Sequence, residues 1–184
     1  MNRSPIAPIL LGLLVLLLLG CAESDYQQLA RYKRELEPIE ERMQELLDTF
    51  RGAALALGEG YGPRLPLEPA RGRELLTEAR GLSRRLTAVE TPPAASAVAE
   101  VKGAAAASLI AAWEDLDAFL HRWADRVPGP GADTAAVRLE ADELSAFVAQ
   151  REAVEAAFTM ARRRLEEGAL ALARAILASR GEDS

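Results

Sequence analysis

Cysteine occurs once in these 184 residues, at Cys21, and histidine once, at His121. A disulfide within one chain is therefore excluded. Nucleophilic catalysis of the Cys–His or Ser–His kind has no visible constellation, because the one histidine has no serine partner at a motif. Two-carboxylate chemistry is not ruled out by inventory in a chain with 28 acidic residues, but no particular pair suggests itself. Aromatic residues make up only 5% of the chain, and isoleucine beyond the first 20 residues is confined to Ile39, Ile110 and Ile176. β-Branched runs of alternating polarity are absent, so no strand is expected. A net charge of −6 points away from nucleic acid and from broad adhesion to anionic lipid.

What is present is concentrated first at the amino terminus. Met1–Cys21 reads MNRSPIAPILLGLLVLLLLGC: one cation at Arg3, an apolar run from Ile9 to Leu19, then Gly20 and Cys21. This is the charged, apolar, small-residue order of an export signal. The ending Leu18-Leu19-Gly20-Cys21 resembles the lipobox of bacterial lipoproteins, with Leu19 the one departure from the commoner small or β-branched residue. The resemblance implies cleavage between Gly20 and Cys21, lipidation of Cys21, and a membrane as partner through that lipid. It also implies more than one acyl chain, and durable anchoring takes two or more. Ala22 stands where an inner-membrane retention signal of enterobacteria would have Asp, which implies the outer membrane in a Gram-negative cell. Two other readings stay open. As an uncleaved anchor, Pro5–Ala22 is 18 residues long against about 20 for a span, and it contains Pro5, Pro8 and Gly12. As a soluble secreted protein, the chain would carry an unpaired thiol in an oxidising compartment. In all three the remainder faces the periplasmic, extracytoplasmic side.

Removing the first 20 residues leaves 164 and moves the net charge from −6 to −7. That is enough chain for one domain with a core. It is rich in Ala, Leu, Glu and Arg, the strong helix formers. After a polar tether over 21–28, apolar residues at Leu29, Tyr32, Leu36, Ile39, Met43, Leu46, Phe50, Ala53 and Leu57 alternate in steps of three and four. Pro38 interrupts this series, and one kinked helix is expected. A loop rich in Gly and Pro follows, then a second helix over 70–89 with Leu75, Ala79, Leu82, Leu86 and Val89 in register. Thr91 is expected to cap a third helix, from Pro92 to Val127. Ala and Val fill its first half; Leu109, Trp113, Leu116, Phe119, Leu120, Trp123 and Val127 share one face of its second. A fourth helix is expected over 134–179, with Val137, Leu144, Phe158, Leu165 and Leu172 at multiples of seven and Arg151 in one seam place. At that length it outruns the first helix, so it breaks, with Gly168 the candidate, or one end projects. Residues 180–184 read as a disordered tail. The expected fold is all-α, an up-and-down four-helix bundle over 29–179.

Each candidate for chemistry has a plainer reading. Asp117, His121 and Asp125, with Glu114 nearby, form a stripe that could hold a metal, yet helical geometry puts it opposite the bulky face. Bundle metal sites project inward and use Glu-x-x-His, and here Ala118 stands three before His121. Gly58, Gly60 and Gly62 lack the preceding strand and following helix of a phosphate loop and read as a turn. Arg162-Arg163-Arg164 followed by Glu166-Glu167 reads as two i,i+4 ion pairs, Arg162–Glu166 and Arg163–Glu167, rather than a basic patch. Trp113, Phe119 and Trp123 are core residues or the walls of an apolar ligand pocket. No metal and no cofactor is expected, and no enzyme. The function expected is a tethered structural, adaptor or assembly protein of the cell envelope, meeting an envelope protein or a second copy through helix faces. A periplasmic module binding an apolar ligand, or a metal-binding bundle, is the alternative.

Overall fold

The structure, a computed structural model, describes residues 24–56, 63–132 and 137–182. The export signal with Cys21, and the loop glycines Gly58, Gly60 and Gly62, lie outside them. Among the described residues there are four α-helices and no strand: α1 Asp25–Ala56, α2 Pro69–Ala88, α3 Ser96–Trp123 and α4 Ala141–Glu182, with a 3₁₀ turn at Pro93–Ala95.

Helix α1 starts four residues before the expected seam, inside the stretch read as tether. Ser24 and Gln27 form a reciprocal cap: the Gln27 amide donates to Ser24 Oγ, and the Ser24 amide donates to Gln27 Oε1, both at 3.3 Å. This Ser-x-x-Gln box satisfies two amides that the first turn leaves open. Helix α1 then runs on through Pro38. Leu36 and Ile39 on either side are buried, and their packing holds the helix across the missing hydrogen bond. The seam from Leu29 to Phe50 is buried throughout.

Pro69 opens α2 at its first position after an extended Glu68, where its lack of an N–H is harmless. The third helix corrects the expected start. Pro92 is extended (φ −67°, ψ 152°) because a residue before proline is pushed out of the helical region, and Pro93 follows it. Thr91 therefore caps nothing; a 3₁₀ turn intervenes and α3 begins at Ser96. Pro93–Trp123 is long and apolar enough to cross a membrane by length and composition alone. In the fold its bulky residues, from Leu109 to Trp123, face the core, and Glu100, Glu114 and Asp115 stay exposed.

The helices form a closed ring, each packed on its neighbours in the chain and α4 back on α1. Every adjacent pair is antiparallel. Arg42 of α1 meets Glu78 of α2, and Arg80 of α2 meets Glu114 of α3. Trp113 packs on Phe158, while Phe119 and Trp123 pack on Phe147. Between α4 and α1, Phe158 stacks on Phe50, and Arg180 reaches Tyr26. This is an all-α, up-and-down bundle.

Gly168 is not a break. Helix α4 is continuous over 42 residues, and the glycine serves packing instead. A Cβ placed there would lie 3.2 Å from Lys102 Cγ and 3.8 Å from Lys102 Cα, so α3 and α4 approach closely at this level. The surplus length of α4 is spent at its amino-terminal end, which runs past the end of α1. Leu144, expected in the seam, is therefore 43% exposed, as is Val148. The opposite end is tied down: Arg180 bonds the Tyr26 hydroxyl at 2.7 Å, and the helix continues to Glu182 where a disordered tail was expected.

Candidate functional site

The three aromatic candidates are core. Trp113 sits edge-on to Phe158 at 5.0 Å, and Trp123 edge-on to Phe147 at 5.3 Å. Phe119 tilts against Phe147 at 5.2 Å. Trp123 also donates its indole N–H to Gln150 Oε1 at 2.8 Å. The space beside Phe119 and Leu116 is about 10 Å³, room for about one water. A drug-sized ligand needs hundreds of cubic ångströms. The Trp113 indole N–H is buried without an acceptor, a loss of about 1–3 kcal/mol that the surrounding packing outweighs.

His121 lies on the outer face of α3, with both ring nitrogens engaged. Its Nδ1–H donates to the Asp117 carbonyl oxygen at 2.8 Å, which leaves Nε2 to accept from the Arg73 guanidinium. A ring whose lone pair faces a guanidinium has none to offer a cation. Asp125 stands exposed on the next turn. Among the described residues no group of three or more His, Cys, Asp or Glu could hold a metal ion.

The arginine run behaves differently from its expected pattern. Arg163 does pair with Glu167 at 3.0 Å. Arg162 instead crosses to Asp48 of α1 at 2.6 Å, and Arg164 donates to Ser108 of α3 at 2.7 Å. Two of the three thus clamp α4 to its neighbours, and Glu166 is left with no ion pair among the described residues. Arg151, in its seam place, is half-buried and pairs with Glu155. Its stem borders an open hollow of about 420 Å³ floored by Leu47, Phe50 and Phe158.

That hollow is one of several along the line where α1 and α4 meet, together an open groove. Two further hollows, of about 490 and 450 Å³, continue it toward the α1 amino terminus and share Glu40, Glu41 and Ala169. On the α4 side lie Leu165, Glu166, Ala169, Leu172, Ala173, Ile176, Leu177 and Arg180; on the α1 side lie Lys33, Glu37, Glu40, Glu41, Gln44 and Glu45. Leu177 is 66% exposed. The base of the groove holds the feature that helical periodicity did not reveal: Lys102 of α3, 4% exposed and paired with Glu40 of α1. Burial pushes its ammonium down from 10.5 to about 8. In the sequence only the small residues around Lys102 hinted that another helix comes close there.

No protein-family model, curated protein or solved structure matches this chain.

Proposed function

We propose that this protein is a lipid-anchored adaptor or assembly factor of the bacterial cell envelope, non-catalytic, held to the membrane through Cys21. The observation that carries the adaptor reading is the α1–α4 groove: an open, partly apolar surface on a bundle whose core beside Leu116 and Phe119 leaves only about 10 Å³. So little space favours recognition on a helix face over storage of a small molecule inside. The tether reading rests on Leu18-Leu19-Gly20-Cys21 and gains from the position of α1. Only Ala22–Ser24 separate Cys21 from the first residue of α1, Asp25. At 3.3–3.6 Å per residue that is a reach of about 14 Å. A lipid on Cys21 would hold the bundle against the membrane by the end where α1 begins and α4 finishes.

The test is crosslinking in intact cells, then capture and mass spectrometry, comparing wild type with Cys21→Ser. The wild-type protein should fractionate with membranes, carry the mass of a lipid, and yield a discrete envelope partner. The variant should lose the lipid and the membrane association. A wild-type Cys21 bearing no lipid would sink the tether reading, and recovery of self-contacts alone would sink the adaptor reading.

A further inference from the structure

We propose that the α1–α4 groove receives a basic amphipathic helix of a partner protein. This deepens the adaptor reading and rests on it. Three features of the groove specify the occupant. The first is length and pattern. The stretch from Leu165 to Leu177 of α4 is about 18 Å long, enough for three to four turns of a partner. Its exposed apolar residues are Ala169, Ala173 and Leu177, in steps of four, with half-buried Leu165 and Ile176 beside them and Leu172 beneath at 3% exposure, a shallow stripe that one face of another helix meets. Ala169 and Ala173 between them let the second backbone come close.

The second feature is unmatched charge. The hollow of about 490 Å³ is lined by four acids, Glu40, Glu41, Glu45 and Glu166, and by no base. Glu40 is answered by Lys102 from below and Glu45 by Arg42. Glu41 and Glu166 have no ion pair among the described residues, nor has Glu37 on the neighbouring turn of α1. Glu166 is unmatched because Arg162, four residues before it, is bound to Asp48 across the groove. An apolar floor under an acidic rim complements a helix with leucine-like residues on one face and Lys or Arg flanking them.

The third feature excludes the competing occupants. A second copy docked with its two-fold axis through the acidic hollow would bring that rim against itself, acid on acid, in a chain already at −6. An anionic lipid surface meets the same repulsion. Lys33 and Arg180 both line the upper hollow and set a direction: the basic part of the partner lies over Glu41 and Glu166, its less basic end toward Lys33 and Arg180.

The test uses the full-length chain in non-ionic detergent micelles. The probe is a photo-crosslinking Leu/Lys peptide of about 14 residues with an amphipathic helical pattern, beside a Leu/Glu peptide of the same pattern. Uptake of peptide by the micelle is common to every protein variant, so differences between variants report the protein. The Leu/Lys peptide should crosslink to residues 37–45 and 165–177, bind at least about tenfold more tightly than the Leu/Glu peptide, and weaken with salt. Reversal of the rim by Glu37→Lys, Glu41→Lys and Glu166→Lys together should lower its affinity about tenfold or more. The control, Glu100→Lys with Asp115→Lys on α3, should leave it within about twofold; circular dichroism checks that both variants keep their helix content. Equal binding to the two variants, crosslinks outside the groove, or a dimer that the rim reversal dissolves would each overturn the inference. A discrete partner captured in cells alongside such a failure would leave the adaptor reading standing. Absence of any partner in cells would sink that reading whatever the peptide does.

Discussion

Lys102 and Glu40 set the residue-scale question, because an ammonium enclosed at 4% exposure must be compensated locally. The two partners are not equivalent. Glu40 is 28% exposed at its side chain and keeps water when its partner goes, whereas Lys102 does not. Glu40→Gln should therefore destabilise the bundle by about 3 kcal/mol at neutral pH, and Lys102→Met by much less. Urea unfolding of the two variants checks this, and equal losses would contradict it. The pH dependence has a definite sign. The folded pKa of Lys102, about 8, lies below the unfolded 10.5, so between those values the unfolded chain binds more protons and stability rises with pH. Wild type should gain about 2 kcal/mol relative to Lys102→Met between pH 7.5 and pH 10, read as the difference in their unfolding midpoints. A constant difference would mean that the ammonium is better solvated than its burial implies.

At the scale of the element, α1 and α4 each contain a residue that propensity alone reads as an interruption, and both helices run through it. Pro38 is exposed, and the freed carbonyl of Arg34, four residues back, lies on an exposed residue where water can reach it. The buried seam on the other face supplies the continuity. Gly168 is kept for closeness rather than for flexibility. Gly168→Val should destabilise by about 2 kcal/mol, although valine is the better helix residue, because its branches would press on the Lys102 backbone. Thermal or urea unfolding against wild type tests this; a stabilised variant would show that α3 and α4 can separate there freely. The overhang of α4 beyond α1 belongs to the same scale. It follows from 42 residues facing 32, about 63 Å against about 48 Å at 1.5 Å per residue.

For the whole molecule, the ring of antiparallel helices gives the bundle two unlike ends. One end gathers the start of α1, the 3₁₀ turn and the finish of α4. The other is closed by crossing loops, where the Leu65 amide donates to the Pro128 carbonyl at 2.9 Å and Arg64 donates to the Ala132 carbonyl at 2.7 Å. If the lipid is on Cys21, the first end is membrane-proximal and the loops stand a helix length away. Fluorophores at Glu90→Cys and at Pro130→Cys, each prepared separately on the lipidated protein in vesicles, should differ in quenching by a headgroup-attached quencher. The label at position 90 should be quenched and the label at 130 should not. Equal quenching would lay the bundle flat on the membrane and bury part of its groove surface there.

Local information was enough for the number of helices and the antiparallel bundle, though not for every start: the fourth helix, expected from 134 with Val137 in its seam, begins at Ala141 after irregular chain over 137–140. The three-and-four spacing from Leu29 to Phe50, the prolines at 69, 92 and 93, and the bulky face from Leu109 to Trp123 each act within one or two turns. Ser24 and Gln27 carried an equally local signal, the capping box that starts α1. The destination of Arg162, the burial of Lys102 and the use of Gly168 could not be read this way. Each depends on which helix lies alongside at that height. An i,i+4 carboxylate competes with one across the bundle, and only the packed arrangement brings Asp48 within reach of Arg162. The same choice leaves Glu166 unpaired, and so gives the groove part of its charge. Periodicity says which face of a helix is apolar; long-range packing decides which charges on its flanks find partners within the bundle and which do not.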